Sequence, residues 1–158
     1  MYDRILVPTD GSNVAQNAVD HAIDLAETYD AELHALFVAD VDAVSYGLGT
    51  EQLDRISQGN FQGMSDLRED AEAATGYVAG QAEPLGLSVV EHHAGGRPHA
   101  VIADYAADND IDLVVMGSHG RSGVKRALLG SVTERTLRST HVPILVVDYE
   151  RAENRSEE

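Results

Sequence analysis

The chain has 158 residues, of which 43% are hydrophobic, 27 are acidic and 11 are basic, and its formal net charge is −16. A negative charge of this size repels nucleic acids and anionic membranes, and the absence of cysteine excludes disulfides, thiolate catalysis and thiolate metal sites. The length suits one domain, no apolar run approaches the roughly 18 residues of a membrane span, and the first residues lack a secretion signal, so we expect a soluble, cytoplasmic protein with small ligands.

Segments typical of strands and helices alternate along the chain. Short continuous apolar runs are typical of strands buried on both faces, whereas apolar residues at every third or fourth position predict helices. In chain order, the pattern predicts a strand at 4–7, a helix at 14–28, a strand at 32–38, a longer middle segment, a strand at 88–92, a helix at 101–107, a strand at 113–116, a helix at 132–139 and a strand at 144–147. This alternation predicts an α/β protein with a parallel sheet covered by helices.

A glycine-rich segment follows the fourth predicted strand. Its spacing is Gly117, two residues, Gly120, nine residues, then Gly130 and the hydroxyl residue Ser131. This is neither the Walker pattern nor the dinucleotide fingerprint. Glycines let backbone N–H groups approach an anion without interference from Cβ, and the helix that begins near Ser131 adds its positive dipole end. The segment therefore predicts a phosphate-binding site.

Two further motifs accompany this spacing: Val7-Pro8-Thr9-Asp10-Gly11-Ser12 near the start and Val142-Pro143-Ile144-Leu145-Val146-Val147 near the end. With them, the chain resembles the universal stress protein family over residues 2–149. Some members of that family lack the glycine spacing and are thought not to bind ATP, so the intact spacing places the resemblance in the ATP-binding branch.

The resemblance implies an open, five-stranded parallel sheet in the order 3-2-1-4-5, with helices on both faces. This is a Rossmann-like fold of the adenine nucleotide alpha hydrolase-like kind. We expect a single universal stress protein domain at 1–149. Residues 150–158 are polar without an apolar anchor, which predicts a C-terminal tail.

In open sheets of this type, ligands bind beyond the carboxyl ends of the strands, where the strand order reverses. The loops that follow the first and fourth strands would be neighbours there, so we expect ATP, with Mg²⁺, to bind between them. The resemblance further implies that backbone groups near Val38 and Ala39 read the adenine edge. The candidate ATP-binding residues are Pro8, Thr9, Asp10, Val38, Ala39, Met116, Gly117, His119, Gly120, Arg121, Gly130, Ser131 and Val132.

Some of these side chains allow more than one role. The Asp10 carboxylate suits a ribose or, through water, a divalent cation, but aspartate is also common in turns that precede helices. Ser12 is expected to be the N-cap of the first helix. Ser131 can donate to a phosphate or cap the last helix, and the two roles are compatible.

Three basic residues, Arg121, Lys125 and Arg126, lie inside the glycine-rich segment of a strongly acidic chain. Their position favours anion binding, with Arg121 beside Gly120 as the first candidate. A solvated basic face is the ordinary alternative for each of them. His119 is as suited to a local hydrogen bond as to a ligand contact.

No catalytic residue or metal site is predicted. The histidines show no ligand spacing, and the adjacent His92 and His93 would face opposite sides of a strand. Residues 95–98, Gly-Gly-Arg-Pro, look like a turn that leads into a helix, with Pro98 in its first helical turn. We find no Ser-His-Asp arrangement, nucleophile elbow or Walker aspartate, so at most slow ATP hydrolysis is expected.

Two segments suggest contacts with other proteins. The middle segment, roughly 42–82, contains the glycine-bearing stretches 46–49 and 58–63 and is the candidate mobile lid or partner surface. The stretch from Val142 to Val147 predicts a short apolar edge strand. Free strand edges pair readily, so we expect a two-fold homodimer through this strand, as the resemblance also implies.

Lysine occurs once, at Lys125, and the other ten basic residues are arginine. With acidic residues spread along the chain, this favours a halophilic protein, because a Debye length of about 3 Å at 1 M salt screens self-repulsion; an acidic protein of an ordinary cytoplasm is the alternative. The leading functional hypothesis is a dimeric stress-response regulator whose conformation depends on ATP. The alternatives are a slow Mg²⁺-dependent ATPase or phosphotransferase and a ligand-free dimeric interaction module.

Overall fold

The computed structural model describes residues 1–44, 48–119 and 129–148. Over these residues, strands and helices alternate as the apolar pattern predicts. The strands are β1 (Arg4–Pro8), β2 (Glu32–Asp40), β3 (Val89–Gly96), β4 (Leu113–Gly117) and β5 (Ile144–Val147). The helices are α1 (Asn13–Tyr29), α2 (Val41–Val44), α3 (Thr50–Ser57), α4 (Ser65–Ala82), α5 (Pro98–Asp108) and α6 (Ser131–Ser139), and a 3-10 turn at Glu83–Leu85 follows α4.

The five strands form one parallel sheet in the order β3-β2-β1-β4-β5, which confirms the expected topology. The central strand is β1, in which Leu6 pairs with His34 of β2 on one side and with Val114 of β4 on the other. The chain runs outward from β1 to β2 and β3 and then crosses to β4. The strand order therefore reverses between β1 and β4, where folds of this type open a ligand crevice.

Both faces of the sheet are covered by helices. On one face, Ile5 and Val115 pack with Val19 of α1 and Val78 of α4, and on the other face the α5 residue Ile102 packs within a cluster of its own. The second cluster joins Leu6, Leu36, Ile102, Ala106, Ile111, Val114 and Met116. Successive residues of β1 thus pack into the apolar clusters on opposite faces of the sheet. Because both faces are buried, the strand is a continuous apolar run.

The middle segment forms a third apolar cluster over the carboxyl ends of β2 and β3. The cluster contains Phe37, Ala39, Ile56, Phe61, Ala71 and Ala74. Phe61 is stacked on the His93 ring, whose Nε2 lies 2.9 Å from the Thr75 hydroxyl of α4. These contacts pack the described part of the segment against β2 and β3, and its role as a mobile lid or partner surface stays a prediction. Tyr46, from the same prediction, lies outside the described residues.

The predicted turn at 95–98 is wrong in its first half. Gly95 and Gly96 are the last residues of β3, and the chain turns only at Arg97, the N-cap of α5. A Cβ built on Gly95 would collide with the carbonyl oxygen of Ile56. Glycine is therefore required here because the backbone of α3 packs directly on the strand. The prediction that Pro98 begins the next helix is confirmed.

Strand β5 has the predicted bounds, β3 begins one residue later than predicted, and the other predicted elements extend a few residues beyond their predicted ends. Such differences are usual where caps and not periodicity set the ends. None of the helices in the described residues is long and apolar enough to cross a membrane.

Candidate functional site

A pocket of about 690 Å³ opens at the carboxyl ends of β1, β2 and β4. This is the crevice that the strand order creates. Of the thirteen candidate residues, eleven line it: Pro8, Thr9, Asp10, Val38, Ala39, Met116, Gly117, His119, Gly130, Ser131 and Val132. The other two, Gly120 and Arg121, lie outside the described residues, as do Lys125 and Arg126.

The N-terminus of α6 faces this pocket. Gly130 is its N-cap and has no side chain to satisfy the first N–H groups of the helix. The first N–H that bonds within the helix belongs to Glu134 and donates to the Gly130 carbonyl. The hydroxyl of Thr133 does not cap the helix either, because it donates to the Gly117 carbonyl at 2.9 Å. Backbone donors and the positive end of the helix dipole are thus directed at the pocket.

Gly130 is held close to the end of β4 by a backbone hydrogen bond. Its N–H donates to the Ser118 carbonyl at 2.7 Å. A Cβ at Gly130 would lie only 3.0 Å from the Cα and 3.2 Å from the Cβ of His119. The two glycine-bearing turns, which are separated by ten residues or more in the chain, therefore meet here so closely that even a Cβ at Gly130 would require His119 to shift slightly.

The loop after β1 forms the opposite wall. The Thr9 N–H donates to the Leu36 carbonyl of β2 at 2.9 Å, and Thr9 is buried. Asp10 accepts a hydrogen bond from the Ser12 N–H at 2.9 Å, which closes an Asx turn. The Ser12 hydroxyl accepts from Ala15 at 3.3 Å, which confirms it as the N-cap of α1. The turn that the residues predict for Asp10 is present, and it leaves the carboxylate lining the pocket.

The third wall combines the end of β2, where Ala39 is predicted to lie, with two residues that sequence reasoning missed. Asp40 lines the pocket beside Ala39, and the missed residues are Leu67 and Asp70 of α4. Asp40 accepts from the Asp42 N–H at 3.0 Å, which fixes the exit of β2. Nothing in the local sequence of α4 distinguishes its pocket-facing positions, because they are selected by how the helix packs on β2 and β3.

The titratable groups whose pKa values are displaced lie away from the pocket. Burial and, secondly, the neighbouring His93 lower the pKa of His92, and burial, with the charge of Glu32, raises the pKa of Tyr105. Both ring nitrogens of the buried His34 are engaged, one with Tyr105 at 2.7 Å and the other with Glu32 at 2.8 Å. These hydrogen bonds satisfy both ring nitrogens of His34 and join β2 to α5, so the network is structural.

His92 contacts the Tyr105 ring on the α5 side, whereas His93 contacts Phe61 on the opposite side. The prediction that these two histidines face opposite sides of their strand is confirmed. Among the residues that the structure describes, no group of three or more histidine or acidic side chains is arranged to hold a metal ion.

The family model described as the universal stress protein family matches residues 1–148. The chain belongs to this family. Universal stress protein MJ0531 of Methanocaldococcus jannaschii is 37% identical over 154 residues, which cover 97% of this chain and 86% of that protein.

Solved structures of the family share the fold. Protein MJ0577 of Methanocaldococcus jannaschii superposes with a TM-score of 0.76 at 30% identity, over 96% of this chain and 99% of that one. The Arabidopsis thaliana family protein At3g01520, solved with AMP bound, superposes with a TM-score of 0.67 at 15% identity, over 96% and 94% of the two chains. At 15% identity, the second likeness shows the fold alone.

Proposed function

We propose that this protein binds ATP in the pocket between the β1 loop and α6 and acts as a dimeric, cytoplasmic stress-response regulator whose conformation depends on the nucleotide. The observation that carries the proposal is the uncapped N-terminus of α6, whose free N–H groups and dipole face the same pocket as the β1 loop. In an acidic protein, these backbone donors supply positive potential without adding a formal charge.

The pocket has the size and the internal asymmetry that a nucleotide requires. Its volume of about 690 Å³ lies within the range of small-molecule sites. One end presents Gly130, Ser131 and the α6 N-terminus, which suit phosphates. The other end lies at β2 and α4 and presents Asp40 and Asp70, whose carboxylates suit the donor groups of a base or sugar. A ligand with its phosphates at α6 and its base toward β2 matches both ends.

The family supplies independent support for an adenine nucleotide. The Arabidopsis thaliana relative contains AMP, so the fold accommodates adenine and ribose in that protein. The extension to this chain, and from AMP to ATP, rests on the glycine spacing and the α6 N-terminus. We expect ATP to bind as its magnesium complex, within one domain at 1–149.

Asp10 is proposed to accept hydrogen bonds from the ribose hydroxyls. Asp10→Ala should weaken ATP binding about tenfold, which corresponds to the loss of one hydrogen bond to a charged group. Because this role does not involve the cation, the loss should be equal with and without Mg²⁺ in isothermal titration calorimetry. Asp10→Asn, which can still accept from Ser12, is the matched variant that preserves the turn. A loss seen only with Mg²⁺ would assign Asp10 to the cation and contradict the ribose role.

The dimer is proposed to form through β5. This strand pairs with β4 on one side only, and Leu145 within it is 38% exposed. An apolar edge strand of this kind presents free backbone donors and acceptors to a second copy of the chain.

Leu145→Arg should therefore convert a dimer to a monomer, since two buried guanidinium groups would face each other across the two-fold axis. Sedimentation velocity in buffers of high salt measures the change. Leu85→Arg is the matched control, because Leu85 is 52% exposed but lies in the 3-10 turn beyond α4. A monomeric wild type, or an unchanged dimer in Leu145→Arg, would refute the β5 interface.

A further inference from the structure

The end of β4 is joined to the end of β5 by a side-chain relay that reaches the pocket. The Ser118 hydroxyl donates to Oδ1 of Asp148 at 2.9 Å and lies 3.1 Å from Nδ1 of His119. Ser118 is buried, and its N–H donates to the Val147 carbonyl at 2.8 Å. Asp148 is held in turn by Asn17 of α1, whose side-chain amide donates to its backbone carbonyl at 2.8 Å.

The chemistry of this relay determines which nitrogen of His119 carries hydrogen. A hydroxyl has a single proton, and the Ser118 proton is committed to the carboxylate, which can only accept. Ser118 Oγ must therefore accept from His119, so the neutral ring carries its hydrogen on Nδ1. The Nε2 atom is left with a lone pair, and His119 is one of the residues that line the pocket. The same commitment means that Ser118 does not donate to His119, so the imidazole does not activate its hydroxyl as a nucleophile.

A lone pair and a phosphate oxygen repel each other, whereas the imidazolium form donates from Nε2 to a phosphate oxygen in a charge-assisted hydrogen bond. Gly130, the N-cap of α6, lies against the Cα and Cβ of His119, so this residue is a neighbour of the donors that we assign to phosphate. Histidine is the side chain that ordinarily changes charge between pH 5 and 8.

We propose that His119 is a proton-dependent phosphate ligand, and that Ser118 and Asp148 are positioning residues that make it so by holding its neutral form with Nε2 unprotonated. This inference rests on the proposed function, in which phosphates lie at this end of the pocket. Nucleotide binding then takes up a proton from solvent at Nε2. By linkage, ATP binds more tightly as the pH falls through the range in which the ring gains its charge.

Other charged groups are found around the same pocket. The described acidic residues that line it are Asp10 in the β1 loop, Asp40 at the end of β2 and Asp70 on α4, and Asp148, which follows β5, accepts from Ser118. Arg121, Lys125 and Arg126 lie outside the described residues.

The first test needs no nucleotide. Nitrogen-15 NMR of the imidazole rings at about pH 8, where histidine is largely neutral, reports which nitrogen is protonated, and His119→Gln assigns the signal. We expect the Nδ1–H form in the wild type. In Asp148→Ala the Ser118 hydroxyl is free to donate to Nδ1, so the ring should change to the Nε2–H form. A wild-type ring in the Nε2–H form would overturn the proposal.

The second test is the pH profile of ATP affinity, measured calorimetrically from about pH 5.5 to pH 8. The terminal phosphate itself titrates near pH 6, so each profile is read relative to His119→Gln, in which only the nucleotide titrates. Toward the acidic end, wild type should gain about tenfold in affinity over His119→Gln, the size of one charge-assisted hydrogen bond. His21→Gln, at an exposed histidine on α1, is the matched control and should follow wild type.

The Asp148→Ala variant distinguishes a positioning role of Asp148 toward His119 from a purely structural role. With Nε2 already protonated in the neutral ring, this variant should bind ATP at about pH 8 at least as tightly as wild type and should lose the acid-dependent gain. If Asp148 only supported the fold, Asp148→Ala would weaken ATP binding at every pH and leave the dependence of ATP affinity on pH unchanged. That result would contradict the proposal. Identical slopes in wild type and His119→Gln would overturn this inference alone, whereas no ATP binding at any pH would overturn the proposed function and this inference with it.

Discussion

Gly130→Val should abolish measurable ATP binding while the protein remains folded. A branched side chain at this position would meet the His119 backbone, because even a Cβ lies 3.0 Å from its Cα and 3.3 Å from the Ser118 carbonyl oxygen. The φ angle of −62° at Gly130 is open to any residue, so the effect is steric and not conformational. We expect a loss of at least about a hundredfold in affinity, equivalent to about 2.8 kcal/mol.

Calorimetric titration with ATP and Mg²⁺ in high salt, after removal of any nucleotide that co-purifies, measures this loss. Gly130→Ala is the graded companion: its Cβ requires the His119 loop to shift by only a few tenths of an ångström, so a smaller loss of about tenfold is expected. Circular dichroism and a thermal melt confirm that the variants are folded. Wild-type affinity in Gly130→Val would remove the α6 N-terminus as the phosphate site and leave the ligand-free dimeric module as the better hypothesis.

Gly95→Ala, at the end of β3, should strongly destabilise the protein. The new Cβ would fall on the carbonyl oxygen of Ile56, so α3 must move away from β3 or the strand must bend. Ile56 is fully buried in the cluster over β2 and β3, and the movement would disturb that packing. We expect a loss of about 1–3 kcal/mol in the free energy of unfolding, or roughly 2–12 °C in Tm.

Thermal and denaturant unfolding measure the change, and Gly80→Ala is the matched control. Gly80 lies within α4 with no neighbour near a Cβ, so the same substitution there should stabilise the protein by about 0.5–1 kcal/mol through helix propensity. Equal effects of the two substitutions would show that α3 does not pack on β3 as described.

The two predictions concern two glycines, Gly130 in the lining of the pocket and Gly95 under α3, and only Gly130 belongs to a recognisable sequence motif. Gly130 could be singled out because its spacing from Gly117 and the hydroxyl residue that follows it form a motif. Gly95 was assigned to a turn, since two adjacent glycines before a proline are typical of one. The strand continues through both glycines because α3 covers it there, and this contact depends on the fold of the middle segment.

Asp10 and His119 show how far residue types alone can go. The sequence allows either a turn role or a ligand role for Asp10. In the structure, Asp10 accepts the hydrogen bond from Ser12 that closes the turn, and it also lines the pocket. For His119 the sequence allowed a local hydrogen bond or a ligand contact. The ring makes the first through Ser118 and lines the pocket as well.

The sequence by itself determined the α/β alternation and, through family resemblance, the strand order and most of the residues that line the pocket. These features depend on local periodicity and on motifs in which spacing along the chain sets the geometry. Only the tertiary structure decided that Leu67 and Asp70 of α4 complete the pocket, and that Ser118, which contacts His119, bonds to Asp148 thirty positions away in sequence. A contact between side chains on separate elements depends on helix packing and strand register, and no local pattern of residues encodes which two positions will meet.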